Sequence, residues 1–328
     1  MSNKKKGLMI FFSIIGVLAC VFAGLLLWVK FYYIDAIDWD KDFQVEVSPE
    51  STLEELTYED DDSIKNIALF GLDAKRTDSG RSDAIIILTV DKKNDKIKLT
   101  SIARDSYVEI RRAGKNGGYI MHDKINHAYS YGKAKLAVET LNLNFDLNIK
   151  DYVAVNFLQF VEIIDAIGGV TIDVDKSELK VTNNYIRSIN STGIPCKELT
   201  QAGPQLLTGG QALGYARNRY TGGELQRGNR HKEVLMIVYE KLKTQDILTM
   251  LNVLKIVCSN CATSLDEKEI LDIALWAISK KPAIESIGLP DNDCNMKKGN
   301  NAFIDGIWYN IYDLDIAAEK LHAFINKP

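Results

Sequence analysis

The stretch 64-IKNIALFGLDAKRTDSGRSDAIIILTV-90 contains two apolar runs, at residues 64–72 and 84–90, on either side of a polar loop. Near-continuous apolar runs of this length, rich in isoleucine, are typical of strands that are covered on both faces. A third run, IKLTSIA at 97–103, follows a KKNDK turn. These runs predict the first three strands of a sheet.

Helix and strand patterns alternate after these strands. Residues 133–145 and 157–169 have helical periodicity, and 151–156 and 170–174 read as strands. This order predicts an α/β domain with three layers, in which helices cover both faces of a mixed sheet. Beyond a polar stretch at 175–203, further predicted elements are helices at 209–218, 227–242, 246–257 and 267–278 and an edge strand at 283–289.

The N-terminal segment predicts a membrane anchor. The 22 residues at 8–29 carry no charge, and a helix of that length spans about 33 Å, enough to cross the hydrocarbon layer. Three lysines precede the segment, so the positive-inside rule places residues 1–7 in the cytoplasm and the rest outside the cell. A cleaved signal peptide, for which the run is long, and a lipoprotein site at Cys20 are weaker alternatives. Residues 30–62 then form an extracellular stalk, and residues 63–328 form one folded domain.

Composition limits the class of protein. With 328 residues, 46% hydrophobic residues and a net charge of -4, the chain folds and does not have the basic character of a general nucleic-acid binder. Trp276 and Trp308 read as core or surface anchors. Four cysteines follow the predicted span and allow three pairings or free thiols; they are Cys196, Cys258, Cys261 and Cys294.

A local cluster of arginines stands out in this acidic chain. The segment YARNRYTGGELQRGNRHKEV (215–234) contains four arginines, and Glu224 is the only acid between Arg217 and Arg230. A solvent-exposed helix usually mixes both signs of charge. The excess of guanidinium groups therefore predicts a local anion-binding site.

Two aspartates flank the loop between the first two predicted strands. Asp73 follows the first strand and Asp83 precedes the second, so the two carboxylates meet at one edge of the sheet if the strands are antiparallel neighbours. Mg²⁺ is commonly bound by one or two carboxylates together with substrate phosphates. With Arg81 nearby, the pair predicts a site for a phosphate-bearing ligand. A helix cap or a surface ion pair is the structural alternative for each aspartate.

Another polar group follows the third predicted strand. Arg104 and Asp105 come directly after it, where side chains often build a site, and an internal ion pair is the alternative. The segment HDKINHAYSYG (122–132) adds Lys124 and two histidines. His122 and His127 are five residues apart and do not share a helix face, which argues against a metal site formed by the pair.

The chain contains these segments in a fixed order, behind a single predicted span. The series resembles the LytR-CpsA-Psr family of cell-wall glycopolymer transferases and covers about residues 63–242. Its seven motifs are NIALFGLD (66–73), GRSDAIIILTVD (80–91), SIARDSYVEI (101–110), HDKINHAYSYG (122–132), DYVAVNFLQFVEIIDAIGGVTIDV (151–174), LLTGGQALGYARNRY (206–220) and GELQRGNRHKEVL (223–235).

The resemblance implies a three-layer αβα domain that holds a polyprenyl pyrophosphate, with the lipid tail in an apolar pocket and the head group on Mg²⁺, or Mn²⁺, and basic side chains. The family's metal-binding aspartates match Asp73 and Asp83. Planar guanidinium groups suit phosphate oxygens because they bind them bidentately. The matching or neighbouring basic residues for the pyrophosphate are Arg81, Arg104, Lys124, Arg217, Arg219, Arg227 and Arg230.

The sequence departs from the family pattern at three positions. Ala103 stands where proline is frequent, Glu224 where aspartate is usual, and His231 where glutamine is common. Glu224 keeps a carboxylate on a longer side chain. A histidine at position 231 introduces an expected pH dependence near neutrality.

The implied reaction is attack by a peptidoglycan hydroxyl on the sugar-proximal phosphorus of a lipid-linked glycan pyrophosphate, with a teichoic acid or capsular polysaccharide as the glycan. Either Asp105 or Glu224 is expected to accept the hydroxyl proton, and Arg104 and Arg227 to stabilise developing charge. Hydrolysis of the polyprenyl pyrophosphate and non-catalytic lipid binding are the alternative functions.

Overall fold

The computed structural model describes residues 38–40, 42–45, 63–73, 80–113, 118–218, 223–245, 249, 261–297 and 299–328. The predicted cytoplasmic tail, the membrane span at 8–29 and most of the stalk lie outside these residues. Within them, no helix combines the length and the apolar character that a membrane span needs.

The strands are β1 (Asp38–Trp39), β2 (Ile64–Leu72), β3 (Ser82–Asp91), β4 (Lys96–Ile102), β5 (Tyr107–Arg112), β6 (Tyr119–Lys124), β7 (Asp151–Asn156), β8 (Val170–Val174), β9 (Gly203–Leu207), β10 (Ala262–Thr263), β11 (Ala283–Leu289), β12 (Phe303–Ile304) and β13 (Ile307–Trp308). The helices are α1 (His127–Phe145), α2 (Phe157–Ala166), α3 (Lys176–Asn190), α4 (Gly209–Ala216), α5 (Gly223–Leu242), α6 (Glu267–Lys280) and α7 (Leu314–Ile325), with a 3-10 turn at Gly299–Ala302.

The central sheet is mixed, as the sequence predicts. Its described strands lie in the order β1-β10-β7-β2-β3-β4-β11. Strands β2, β3 and β4 are antiparallel neighbours, whereas β7 and β11 run parallel to β2 and β4. Because the middle strands have neighbours on both edges and helices on both faces, their sequences are almost continuously apolar.

Helices cover both faces of this sheet. On one face, Phe70 and Ile87 pack with Leu141 of α1 and Leu321 of α7 in a single buried cluster. On the other face, Ile67, Val90 and Leu265 pack against apolar side chains of α6. Helix α5 also lies against β4 and β11.

A separate buried cluster forms beside the sheet from the β8–β9 hairpin and the helices α2 to α5. Ile164, Ile172, Ile186, Tyr215 and Val234 meet there. Helices α4 and α5 carry the arginine-rich segment, so this cluster fixes the position of the arginines relative to the sheet.

Several elements differ from the sequence-based prediction. Helix α1 begins at His127 rather than at 133, with a kink at Gly132 and Lys133, whose φ is 56°. Helix α3 lies within the stretch that reads as merely polar, and the β5–β6 hairpin was not predicted. The predicted helix at 246–257 lies almost entirely outside the described residues. Cys196 and Cys294 are free thiols, and Cys258 lies outside the described residues.

Candidate active site

Asp73 and Asp83, the two predicted metal-binding aspartates, lie at one edge of the sheet. Strands β2 and β3 pair in antiparallel register, and the Asp73 N–H donates to the Arg81 carbonyl over 3.1 Å. A Cβ atom on Gly71 would lie 2.9 Å from the Ala84 Cβ, so glycine permits this close pairing of the strands. The predicted antiparallel arrangement is confirmed, and it places Asp83 two residues beyond Arg81 at the same edge.

Asp83 is the centre of the charged group. Its carboxylate accepts from Arg104 Nη1 at 2.7 Å, Arg227 Nη2 at 3.4 Å and Asn126 Nδ2 at 3.3 Å. Burial by itself raises the pKa of Asp83, but the charges of Arg227 and Arg104 and the hydrogen bonds outweigh it and hold the pKa below its ordinary value. Asp83 is therefore an ionised carboxylate that brings two guanidinium groups together.

Asp105 extends the group away from Asp83. Its Oδ1 lies 2.9 Å from Lys124 Nζ and its Oδ2 lies 3.3 Å from Arg104 Nε. The Asn126 N–H donates to the Arg104 carbonyl over 3.1 Å, which ties the start of α1 to the loop after β4. Arg104 thus bridges the carboxylates of Asp83 and Asp105. The internal ion pair of Arg104 with Asp105, which the sequence analysis gave as an alternative, is present.

Arg217 approaches the group from the end of α4. Its Nη2 lies 4.0 Å from Asp73 Oδ1, and its guanidinium lies over the ring of Phe157 at 4.6 Å. The Tyr185 ring lies 5.9 Å away on another side. Stacking against aromatic rings restrains a guanidinium without using its N–H donors, so these donors stay available for a ligand.

Arg230 takes a different orientation from Arg227 on the same helix. Its Nε and Nη2 bind Glu178 Oε1 at 2.9 and 2.5 Å, and its Nη1 donates to the Asn218 carbonyl over 2.8 Å. The side chain is 5% exposed. This geometry favours a structural role, joining α5 to α3, over the predicted pyrophosphate contact.

The positions of two predicted site residues relative to the Asp83 carboxylate are not given by the described side chains, and a third residue is exposed. Arg219 lies outside the described residues, and Glu224 belongs to α5 but its side chain is not described. Arg81 is exposed at the start of β3. The role of each stays a prediction.

The expected pH dependence of His231 near neutrality is wrong. Removal from water, together with the neighbouring charge of Arg227, lowers the pKa of His231 to about 3, despite a hydrogen bond to the Ala216 backbone. Position 231 therefore holds a neutral imidazole at physiological pH, which can donate a hydrogen bond much as an amide does.

His122 and His127, for which the sequence argues against a shared metal site, make separate contacts. His127 Nδ1 lies 2.8 Å from Asp123 Oδ2, whereas His122 stacks on Tyr107 at 5.5 Å between ring centroids. Across the described part of the chain, no cluster of three or more His, Cys, Asp or Glu side chains is arranged to hold a metal.

The donor set at the sheet edge nevertheless suits a hard cation shared with phosphates. Asp73 and Asp83 supply carboxylate oxygens, and the Oδ1 atom of buried Asn126 has no hydrogen-bond partner among the described residues. Oxygen ligands from one or two carboxylates are what Mg²⁺ uses when substrate phosphates complete its shell. The sequence singled out the neighbouring Lys124 but missed Asn126, which stands two residues later in the same DKIN motif.

Comparison with known proteins decides the family. The model of the LytR_cpsA_psr family matches residues 31–323. This chain belongs to that family. It is 32% identical over 247 residues to the polyisoprenyl-teichoic acid--peptidoglycan teichoic acid transferase TagU of Bacillus cereus, covering 74% of this chain and 72% of the relative. It is 30% identical over 278 residues to the TagU of Enterococcus faecalis, covering 84% of each chain.

Solved structures of this family share the fold. The LytR-CPS2A-psr family protein TagT with bound octaprenyl pyrophosphate lipid superposes with a TM-score of 0.58 at 22% sequence identity, over 88% of this chain and 99% of that one. At this identity the similarity concerns the arrangement of the sheet and helices.

Proposed function

We propose that this protein is a membrane-anchored phosphotransferase that moves a glycopolymer, a teichoic acid or a capsular polysaccharide, from a polyprenyl-pyrophosphate carrier to a hydroxyl of peptidoglycan. The observation that carries the proposal is the group at the sheet edge, in which Arg104, Arg227 and Lys124 surround the carboxylates of Asp83 and Asp105. The names of the TagU relatives support the same reaction.

The positive charges of the arginines suit a pyrophosphate whose phosphoryl group is being transferred. The transferred phosphoryl group spreads negative charge over several oxygens, so fixed cations around it lower the barrier. Arg104 and Arg227 are held by Asp83, and Arg217 is held by ring stacking, so the guanidinium groups need little reorganisation when the ligand binds. We assign the pyrophosphate to these three arginines; Lys124 pairs with Asp105 and lies beside the Trp308 ring, so it is not assigned to the pyrophosphate.

Magnesium is part of this proposal. Asp73, Asp83 and the free amide oxygen of Asn126 are the residues that would hold it at the sheet edge. When bound, Mg²⁺ neutralises charge on the phosphate oxygens. Mn²⁺, which prefers the same oxygen ligands, is an acceptable substitute.

The bond changes follow from the reactants. A new P–O bond forms between the acceptor hydroxyl oxygen and the sugar-proximal phosphorus, and the bond from that phosphorus to the bridging oxygen breaks. Polyprenyl phosphate leaves with the bonding electron pair, and the hydroxyl proton passes to Asp105 or Glu224. Asp105 also orients Lys124 and Arg104 through its two oxygens.

The predicted span at 8–29 completes the proposal, because a polyprenyl carrier lies in the membrane. The N-terminus is then cytoplasmic and the catalytic domain lies outside the cell, where the peptidoglycan acceptor is.

The test uses purified full-length chain with a labelled lipid-pyrophosphate oligosaccharide, soluble peptidoglycan strands and Mg²⁺. We expect label on peptidoglycan with the wild type and at least a hundredfold less with Asp83→Asn or Arg104→Ala. Arg187→Ala, which removes an exposed arginine of α3 paired with Glu198, is the matched control and should transfer normally. Release of free sugar phosphate would identify a hydrolase, and tight lipid binding without product would identify a non-catalytic binder.

A further inference from the structure

A short hairpin next to the site exposes large apolar side chains. Strands β12 and β13 are joined by Asp305 and Gly306, whose φ angles of 49° and 77° are typical of a tight two-residue hairpin turn. Phe303 and Trp308 are 51% and 37% exposed. They are Cα partners across the hairpin, so their side chains lie on the same face. Contiguous exposed apolar surface can mark an interaction site.

The backbone ties this hairpin to the charged group. Just beyond Trp308, the Asn310 N–H donates to the Asp105 carbonyl over 2.8 Å, and the Tyr107 N–H donates to the Asn310 carbonyl over 2.9 Å. Ser106 and Asn310 also form an isolated parallel bridge. The backbone that leads out of the hairpin is therefore fixed relative to Asp105.

Lys124 connects the two regions through its side chain. Its Nζ contacts Asp105 Oδ1 at 2.9 Å and lies 6.0 Å from the centre of the Trp308 ring and 5.6 Å from that of Tyr309. Tyr309 is almost fully buried and packs edge-on against Tyr107 at 5.0 Å. The contacts form a continuous path from Asp83 through Arg104, Asp105 and Lys124 to the exposed indole.

We propose that Phe303, Trp308 and Lys124 form a glycan-binding surface that holds the acceptor strand, with a pyranose ring of the acceptor stacked on Trp308. This inference rests on the proposed transferase function, because it names the position of the second substrate of that reaction. A glycan presents apolar C–H faces and polar edges, which match aromatic rings placed beside an ammonium group. An uncrosslinked strand carries carboxylates on its peptide stems, and Lys124 supplies the complementary charge.

The surface lies on the correct side for this role. The carboxylate of Asp83 gathers the arginines that suit the pyrophosphate, whereas Asp105, a candidate base, stands between that group and the hairpin. A strand on the hairpin would present a hydroxyl toward Asp105. An anionic membrane surface is the competing partner for the same residues, because Trp and Lys side chains are favoured there, and vesicle binding distinguishes it from the strand.

The experiment measures binding of the acceptor strand and binding of the lipid-linked donor separately. Trp308→Ala and Phe303→Ala in the full chain are compared with Leu275→Ala, which removes a 65% exposed leucine on α6. We measure binding of soluble uncrosslinked peptidoglycan strands, the KM for these strands, binding of the lipid-pyrophosphate donor, and binding to phosphatidylglycerol vesicles.

We expect both hairpin variants to weaken strand binding and to raise the acceptor KM by about tenfold, since one aromatic contact contributes roughly that factor. Donor binding should stay within twofold, Trp308→Phe should retain most of the affinity, and Leu275→Ala should behave as the wild type. Unchanged strand binding in both hairpin variants would overturn the inference, as would loss of vesicle binding with strand binding intact. If the wild type binds strands through Trp308 but transfers nothing, the glycan surface stands and the transferase proposal fails.

Discussion

Lys232 on α5 gives a quantitative test of the packing beside the site. The residue is 4% exposed and lines a cavity of about 690 Å³ together with Met236 and Ile237. In the part of the chain that the structure describes, its ammonium has no hydrogen bond or ion pair, and burial alone lowers its pKa to about 8. Replacing Lys232 by methionine removes an unpaired buried charge and keeps an unbranched side chain of similar shape.

The size of the effect follows from the pKa. A fall from 10.5 to about 8 corresponds to about 3 kcal/mol at about 1.4 kcal/mol per pH unit. The unfolded chain binds the proton more tightly than the folded one, so the penalty is fully present below pH 8 and fades as the pH rises toward 10.5. We therefore expect Lys232→Met to gain about 3 kcal/mol at pH 7 and about 1 kcal/mol at pH 10.

Urea unfolding of the two proteins at both pH values measures this difference. Lys180→Met, at an exposed position on α3, is the control and should change the free energy of unfolding little at either pH. A gain for Lys232→Met that is equal at pH 7 and pH 10, or a loss at pH 7, would refute the account of an unpaired ammonium.

Three further predictions concern other contacts. Lys98 and Asp91 form a fully buried ion pair, so Lys98→Met should lower the free energy of unfolding by about 3–5 kcal/mol. A double variant that also carries Asp91→Leu should recover part of this loss. Equal stability of the wild type and Lys98→Met would count against a stabilising ion pair. His231→Gln should leave the pH profile of transfer unchanged between pH 6 and 8, because the wild-type imidazole is already neutral there. The variant should become more stable than the wild type as the pH falls below 6.5. A shifted pH profile of transfer would contradict the neutral imidazole. Gly209→Ala should destabilise the fold by about 1–3 kcal/mol in thermal unfolding, since the added methyl would lie 2.3 Å from the Val161 carbonyl oxygen, and an unchanged Tm would show that α4 can shift.

The sequence predicts the central sheet well because its signal is strong and local. Runs such as 64–72 and 84–90 are apolar throughout, and only strands buried on both faces need that pattern. Helix α3 was missed because only Thr182, Ile186 and Ile189 are buried along it. Its capping box, Asp175 with Glu178, was a signal that could have found it.

The candidate site was predictable in residue identity but not in orientation. The motifs name Arg227 and Arg230 together, although the first binds Asp83 and the second binds Glu178. That choice depends on α3, which the sequence did not predict, and on packing between helices distant in the chain. The hairpin with Trp308 lies beyond the motif-bearing segment, and its relation to Asp105 depends on backbone contacts that no local pattern encodes.

The most direct test of the central claim follows one phosphorus atom. A lipid-linked glycan carrying ³²P in its sugar-proximal phosphate is incubated with the full chain, Mg²⁺ and soluble peptidoglycan strands, and the strands are then digested and their fragments identified by mass. The account predicts that ³²P appears on muropeptide fragments joined to the glycan through one phosphate, and that Asp83→Asn abolishes this product. Recovery of all ³²P as free sugar phosphate, or in unreacted donor with the wild type, would contradict it.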